Sequence, residues 1–312
     1  MPERNAVSWT AMISGYTRRG MGWRALELVS NLHEEIDCVS ILTASLDACS
    51  SMSIISSGLD SGKQLHARAV KTTCSVSQSD RTIMLETALI DMYSKSSQLN
   101  YARRVFDGMG HCNVVSWTCM ISGYASHGHG ADALDLFEEF WNKGLKPNEV
   151  TLISILTACR HSGYVEQGMR YFKIITENCG VIPRGDHCAC VVDMLARAGR
   201  LDEAWSLVDG IMDFGGRRRR RFEKKDCDAI WGALLNGCRL HGDMEMAEKL
   251  AVRITENNHQ TSDTYVSLSN VYAGCERWDK VYQTRQEWKM SCNSTDDIQD
   301  PGHSRLESII SN

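Results

Sequence analysis

The chain has 312 residues, is 43% hydrophobic and carries a formal net charge of −5 at pH 7. It holds only four prolines, which suits high helical content, and no run of about 18 apolar residues exists to span a membrane as a helix. The acidic balance excludes a protein whose hold on nucleic acid comes mainly from phosphate neutralisation.

The first unit, residues 6–38, opens with VSWTAMISGY at 7–16. The same stretch returns at 115–124 as VSWTCMISGY, differing only at Ala11 versus Cys119. Such near-identity within one chain marks a repeat array. Numbering slots from the start of each unit, Trp9 and Trp117 fall in slot four. Gly20, Gly128, Gly163, Gly199 and Gly242 fall in slot fifteen, and Ala25, Ala102, Ala133, Ala204 and Ala247 in slot twenty. The glycine permits positive φ where a first helix ends, and the alanine lets a second helix pack closely against it.

The second unit, 39–82, is overlong, with Ser-rich patches around 50–61 and 72–79 that read as loop insertions. Units follow at 83–113, 114–148 and 149–184. In the unit from Val114, Met120, Ile121 and Tyr124 have helical spacing, Gly128 interrupts, and Ala133, Leu134, Phe137 and Phe140 resume it. The sixth unit, 185–227, carries a basic insertion at 215–226. There Gly215 and Gly216 precede Arg217–Arg221, with Lys224 and Lys225 after, and the expectation is an exposed loop, a solvated insertion without a role, with a phosphate-contacting or nuclear-localisation-like patch as the functional alternatives. Two further hairpins, 228–261 and 262–295, precede a tail at 296–312. Strand signals are poor. The chain reads as all-α, a solenoid of helical hairpins in which each unit buries its apolar face against its neighbours.

Thirteen cysteines include no C-x-x-C pair. Cys49, Cys119, Cys159, Cys188 and Cys238 fall on predicted first helices, where Cys acts as a small buried hydrophobe in a reducing compartment. His187, Cys188 and Cys190 form the nearest approach to a zinc site but lack a fourth spaced ligand. His33–Glu35 supplies an H-x-E, yet no P-C-x-x-C follows it, and no Walker loop, G-x-S-x-G or H-E-x-x-H motif occurs. No catalytic residue, metal site or cofactor is expected.

VSWTCMISGYASHGHGADALDLF (115–137), ALIDMYSKSSQLNYARRVFDGM (88–109) and VVDMLARAGRLDEA (191–204) resemble the plant pentatricopeptide repeat proteins of the class with alternating P, L and S units. WGALLNGCRLHGDMEMAEKLA (231–251) and YVSLSNVYAGCERWDKV (265–281) resemble that family's two C-terminal E motifs, and PGHSRLE (301–307) the junction after them; the deaminase domain that ends many relatives does not fit in what remains. The resemblance implies a right-handed α-solenoid superhelix. It also implies single-stranded RNA as partner, read one base per unit by slot five and the last slot, with an apolar slot-two wedge beside the base.

Carried onto this chain, the resemblance assigns Met84, Thr87 and Asn113 to one unit and Val115, Thr118 and Asn148 to the next, both Thr–Asn pairs specifying adenine. The first unit offers Val7 and Thr10, with Cys38 or Asp37 as last slot. Thr43, Ile153, and Ala189 with Cys227 match no strong pair. The competing account of these Thr and Asn residues is a helix start or local cap. By resemblance the chain selects a C-to-U editing site and recruits a deaminase in trans through its E motifs, in mitochondrion or plastid, although residues 1–5 do not resemble a transit peptide. The other functional class is a protein-interaction scaffold or a nonfunctional fragment.

Overall fold

The computed structural model describes residues 5–32, 38–52, 56–75, 80–212, 224–256 and 261–292. Arg217–Arg221, His33–Glu35, Asp37 and residues 301–307 therefore lie outside the described residues. Among the described residues every regular element is a helix, and the chain divides into two units, Met1–Ser162 and Gly163–Asn312.

The first unit contains α1 (Ala6–Arg18), α2 (Gly22–Ser30), α3 (Val39–Ser51), α4 (Ser56–Ser75), α5 (Asp80–Lys95), α6 (Leu99–Gly108), α7 (Val114–Ser126), α8 (Gly130–Asn142) and α9 (Glu149–Ser162). Odd-numbered helices stack on one another in sequence, α1 on α3, α3 on α5, α5 on α7 and α7 on α9. Each even-numbered helix packs against the odd helix before it and the odd helix after it. The second unit contains α10 (Val165–Asn178), α11 (Gly185–Arg197), α12 (Leu201–Met212), α13 (Lys224–His241), α14 (Met244–Glu256), α15 (Ser262–Gly274) and α16 (Trp278–Cys292). There α11 packs on α13 and α13 on α15, with α12 and α14 wedged between successive odd helices.

The turn that closes each hairpin follows from one residue. Slot fifteen has positive φ at Gly20 (71°), Gly128 (77°), Gly163 (71°), Gly199 (76°) and Gly242 (68°). The same slot in the units from 83 and 262 holds Ser97 (φ 57°) and Glu276 (φ 58°), so the left-handed conformation persists without glycine. The backbone N–H one residue later reaches back to the slot-eleven carbonyl, as in Met21 to Tyr16 (3.0 Å), Gln98 to Tyr93 (2.8 Å), His129 to Tyr124 (3.0 Å) and Arg277 to Tyr272 (2.9 Å). This six-to-one bond satisfies a carbonyl the helix end would otherwise leave without a partner.

After the turn, Ala25, Ala102, Ala133, Ala204 and Ala247 are all fully buried, as close helix approach requires. Trp9, Trp117 and Trp231 occupy slot four and are buried too. Trp117 meets Phe106 of the preceding even helix edge-on at 4.9 Å and Phe140 of its own partner helix at 6.2 Å. Burying a ring of this size removes roughly 150–250 Å2 from water, about 4–6 kcal/mol of hydrophobic stabilisation.

Three expectations from sequence need correction. The Ser-rich stretches are not loop insertions where they are described, because α4 runs unbroken from Ser56 to Ser75 and buries Leu65 and Ala69. Apolar residues at helical spacing outweigh the weak helix preference of serine. Secondly, α5 begins at Asp80, three residues ahead of the unit boundary at 83. Thirdly, α13 begins at Lys224, so the end of the presumed basic loop is already helical.

Replacing Gly128 by Ala should destabilise the chain by about 1–2 kcal/mol, the penalty of a left-handed side-chain-bearing residue. Glu276→Gly should stabilise it by about 0.5–1 kcal/mol, since the relieved strain exceeds the added unfolded-state entropy. Urea denaturation midpoints check both; shifts of the opposite sign would refute this account of the turn.

Candidate nucleic-acid interface

The site lies at the N-terminal ends of the stacked odd helices of the first unit. Slot two is apolar and exposed in four of them: Val7 (76%), Met84 (59%), Val115 (59%) and Val150 (57%). Large apolar side chains held in water at a fixed register on successive helices are costly unless something covers them. In the second unit the same slot holds Asp186, Ala229 and Asp263, so the apolar row belongs to the first unit alone.

Asn113 and Asn148 are exposed, and each caps a helix. Asn113 Oδ1 accepts from Val115 N (3.0 Å), Ser116 N (3.0 Å) and Ser116 Oγ (3.2 Å) at the start of α7. Asn148 Oδ1 accepts from Thr151 N (2.9 Å) and Thr151 Oγ1 (3.0 Å) at the start of α9. Asn5 does the same for α1 through Ser8 N (2.9 Å) and Ser8 Oγ (3.0 Å). These caps are the local role the sequence allowed for, and each contributes about 1 kcal/mol. Capping engages the carboxamide oxygen of Asn113 and Asn148, which leaves the donor capacity of Nδ2 outside the cap.

The threonines differ among themselves. Thr87 is half-buried and its Oγ1 lies 2.8 Å from Ser116 Oγ. Thr118 is 5% exposed and its Oγ1 lies 2.8 Å from Thr151 Oγ1. An open Thr118 was expected from its slot; packing of α7 against α9 closes over it instead. Thr10 turns back to Ala6 O at 2.7 Å and Thr43 to Val39 O at 2.8 Å. Thus Met84, Thr87 and Asn113 form the open set, Val115, Thr118 and Asn148 a more closed one. Val7 and Thr10 stand with Cys38, which caps nothing. Val150 was missed because Ile153 shares its unit and offers no hydrogen bond. Its slot was the signal.

The first-helix cysteines and His187 sit in packed positions. Cys49, Cys159, Cys188 and Cys238 are buried on α3, α9, α11 and α13, and Cys119 on α7 is partly covered, its thiol 3.9 Å from Thr87 O. Burial pushes the thiols of Cys49, Cys159 and Cys238 from 9.0 up to about 12, by desolvation of the thiolate. His187 is buried, and its Nδ1 accepts from Arg184 N at 2.9 Å at the start of α11. Among the described residues no group of three or more His, Cys, Asp or Glu side chains is placed to hold a metal ion.

These stacked hairpins define an α-helical repeat array. Family models described as PPR repeat match residues 7–35, 87–114 and 188–215, one described as PPR repeat family matches 112–161, and one described as E motif matches 241–305. From Arabidopsis thaliana, pentatricopeptide repeat-containing protein CRR2, chloroplastic, is 35% identical over 92% of this chain and 41% of its own length. DOT4, chloroplastic, from the same plant is 35% identical over 92% of this chain and 31% of its own length. A third Arabidopsis relative, named as mitochondrial, is 36% identical over 93% of this chain and 42% of its own length. The chain thus spans about a third to two-fifths of the curated relatives it matches. The crystal structure of pentatricopeptide repeat protein PPR10 from maize has a TM-score of 0.58 over 92% of this chain and 44% of that chain, at 14% identity. The same protein in complex with an 18-nt psaJ RNA element gives 0.56 over 90% of this chain and 44% of that chain, at 13% identity. The chain belongs to the pentatricopeptide repeat family and carries its E motif.

Raised thiol pKa values carry a definite sign. The stability from keeping Cys49, Cys159 and Cys238 neutral is fully present below their ordinary value of 9.0 and is lost as pH rises from there toward about 12. Melting temperature should fall across that range. Iodoacetamide at pH 8 should leave these three unmodified until urea unfolds the chain, and native-state alkylation of any of them, read by mass spectrometry, would contradict their burial.

Proposed function

We propose that this chain binds single-stranded RNA in a base-dependent manner along the N-terminal ends of the odd helices of its first unit. The observation that carries this reading is the repeated apolar slot two, Val7, Met84, Val115 and Val150, each beside a polar slot-five or last-slot side chain in most units. An apolar side chain in water gains by stacking against the flat face of an unpaired base, and neighbouring polar groups then meet the base edge. Met84 with Thr87 and Asn113 receives one adenine, and Val115 with Thr118 and Asn148 the next. PPR10, a member of the same family, is seen with an RNA element, which supports the class of ligand.

The family supports a functional setting. A chloroplastic CRR2 and a mitochondrial relative support work in an organelle on organellar RNA. The E-motif match supports a role as site-recognition factor for C-to-U editing, with a deaminase supplied in trans. Catalysis then belongs to the partner. In that region α14, α15 and α16 enclose a groove of about 420 Å3 bordered by Val252, Tyr265, Leu268 and Lys280. Trp278 and Tyr282 are each 66% exposed on α16. Surfaces of this kind favour protein docking.

Affinity should rest on base contacts more than on charge, given the net charge of −5. In a gel-shift titration, a U-rich single-stranded RNA with two adjacent adenosines should bind more tightly than the all-uridine version. Replacing the adenosine at the Thr87–Asn113 unit should weaken binding on the order of 30-fold, two hydrogen bonds at about 1 kcal/mol each. Replacement at the Thr118–Asn148 unit should matter less, because Thr118 is 5% exposed. Equal binding of all these RNAs would leave the chain a scaffold for proteins.

A further inference from the structure

A hydroxyl stands between the two members of each adenine pair, and it belongs to the next unit. Ser116 occupies slot three of the unit after Thr87 and Asn113. It donates from Oγ to Asn113 Oδ1 at 3.2 Å and lies 2.8 Å from Thr87 Oγ1. Thr151 holds the same slot after Thr118 and Asn148, 3.0 Å from Asn148 Oδ1 and 2.8 Å from Thr118 Oγ1. Both bridging residues are fully buried.

The direction of the protons follows from elementary valence. Val115 N and Ser116 N both donate to one atom of the Asn113 side chain, so that atom is the carbonyl oxygen, which only accepts. Ser116 has a single hydroxyl proton, and it goes to that oxygen. The Ser116 oxygen must therefore accept from Thr87, whose own proton is thereby engaged. The same reasoning runs from Thr151 N through Asn148 Oδ1 and Thr151 to Thr118. The half-buried Thr87 is left with Oγ1 as an acceptor and Asn113 with donors at Nδ2; Thr118 Oγ1 is left the same way but buried, beside Asn148.

Where slot three of the next unit is apolar, the bridge is missing and the threonine behaves differently. Ile41 follows Thr10, and Leu85 follows Thr43; both are fully buried, and both threonines turn back to a carbonyl of their own helix. A slot-three hydroxyl thus accompanies a slot-five threonine bonded to it, and an apolar slot three accompanies one bonded to its own backbone.

We propose that Ser116 and Thr151 are positioning residues that orient the preceding unit's Thr–Asn pair and set it to accept at threonine and donate at asparagine. A base edge with an exocyclic amine beside a ring acceptor, as adenine has at N6 and N1, complements that arrangement. The 6-oxo edge of hypoxanthine reverses both roles. This inference rests on the base reading proposed above.

The test uses the full chain and a U-rich single-stranded RNA in which the nucleotide facing the Thr87–Asn113 unit is adenosine, inosine or uridine. Wild type should favour adenosine over inosine, and Ser116→Ala should lower that ratio about fivefold, the worth of one hydrogen bond. Ser116→Thr, which matches the residue found at 151, should restore it. Should Ser116→Ala fail to fold, Ser116→Cys keeps the size, supplies only a weak donor and should lower the same ratio. A ratio unmoved by losing the hydroxyl, or one that Ser116→Thr fails to restore, overturns the bridge. Wild type that does not separate adenosine from uridine defeats the base reading itself, a different failure.

Discussion

Among the described residues, a hairpin within either unit leaves an apolar face that the adjacent hairpin covers, and everything else depends on that dependence. Trp117 illustrates it: its ring is held between Phe106 of the unit before and Phe140 of its own. Because stacked helices within a unit share one register, a given slot returns at the same place on successive odd helices there. The left-handed slot-fifteen residue serves this end, turning the chain so that the buried slot-twenty alanine meets the first helix. Ser97 and Glu276 adopt the conformation without glycine, so stacking imposes the turn even where local preference opposes it.

A surface repeated in this way has two kinds of position. Apolar residues that face a neighbouring helix vanish into the core, while apolar residues in slot two remain in water. Their recurrence at 7, 84, 115 and 150 is what the proposed RNA reading rests on. Helix caps and base reading are compatible in the same asparagine because they use opposite ends of one carboxamide. In the proposed base reading, an asparagine already held by its cap would lower the ordering entropy that association must overcome.

The cysteines show the same economy of role. In an inward-facing slot a thiol is a small apolar filler, and desolvation raises the thiols of Cys49 and Cys159 above their ordinary value.

Repeat period, helical hairpins, the turn glycines, the packing alanines and the family were legible in the sequence, because each depends on side-chain type at a fixed spacing. The slots of Thr87, Asn113 and their counterparts were legible for the same reason, and Val150 could have been read from its slot. What the sequence did not reveal depends on contacts between units. Thr118 is closed over by the helix that follows, Thr87 stays partly open, and Ser116 and Thr151 bridge residues about 30 positions away in the chain. The length of α4 was hidden by its serines, whose weak helix preference is overruled once Leu65 and Ala69 find a core. Periodicity determines which side chains share a face; only the packed neighbours decide which of them water, or a base, reaches.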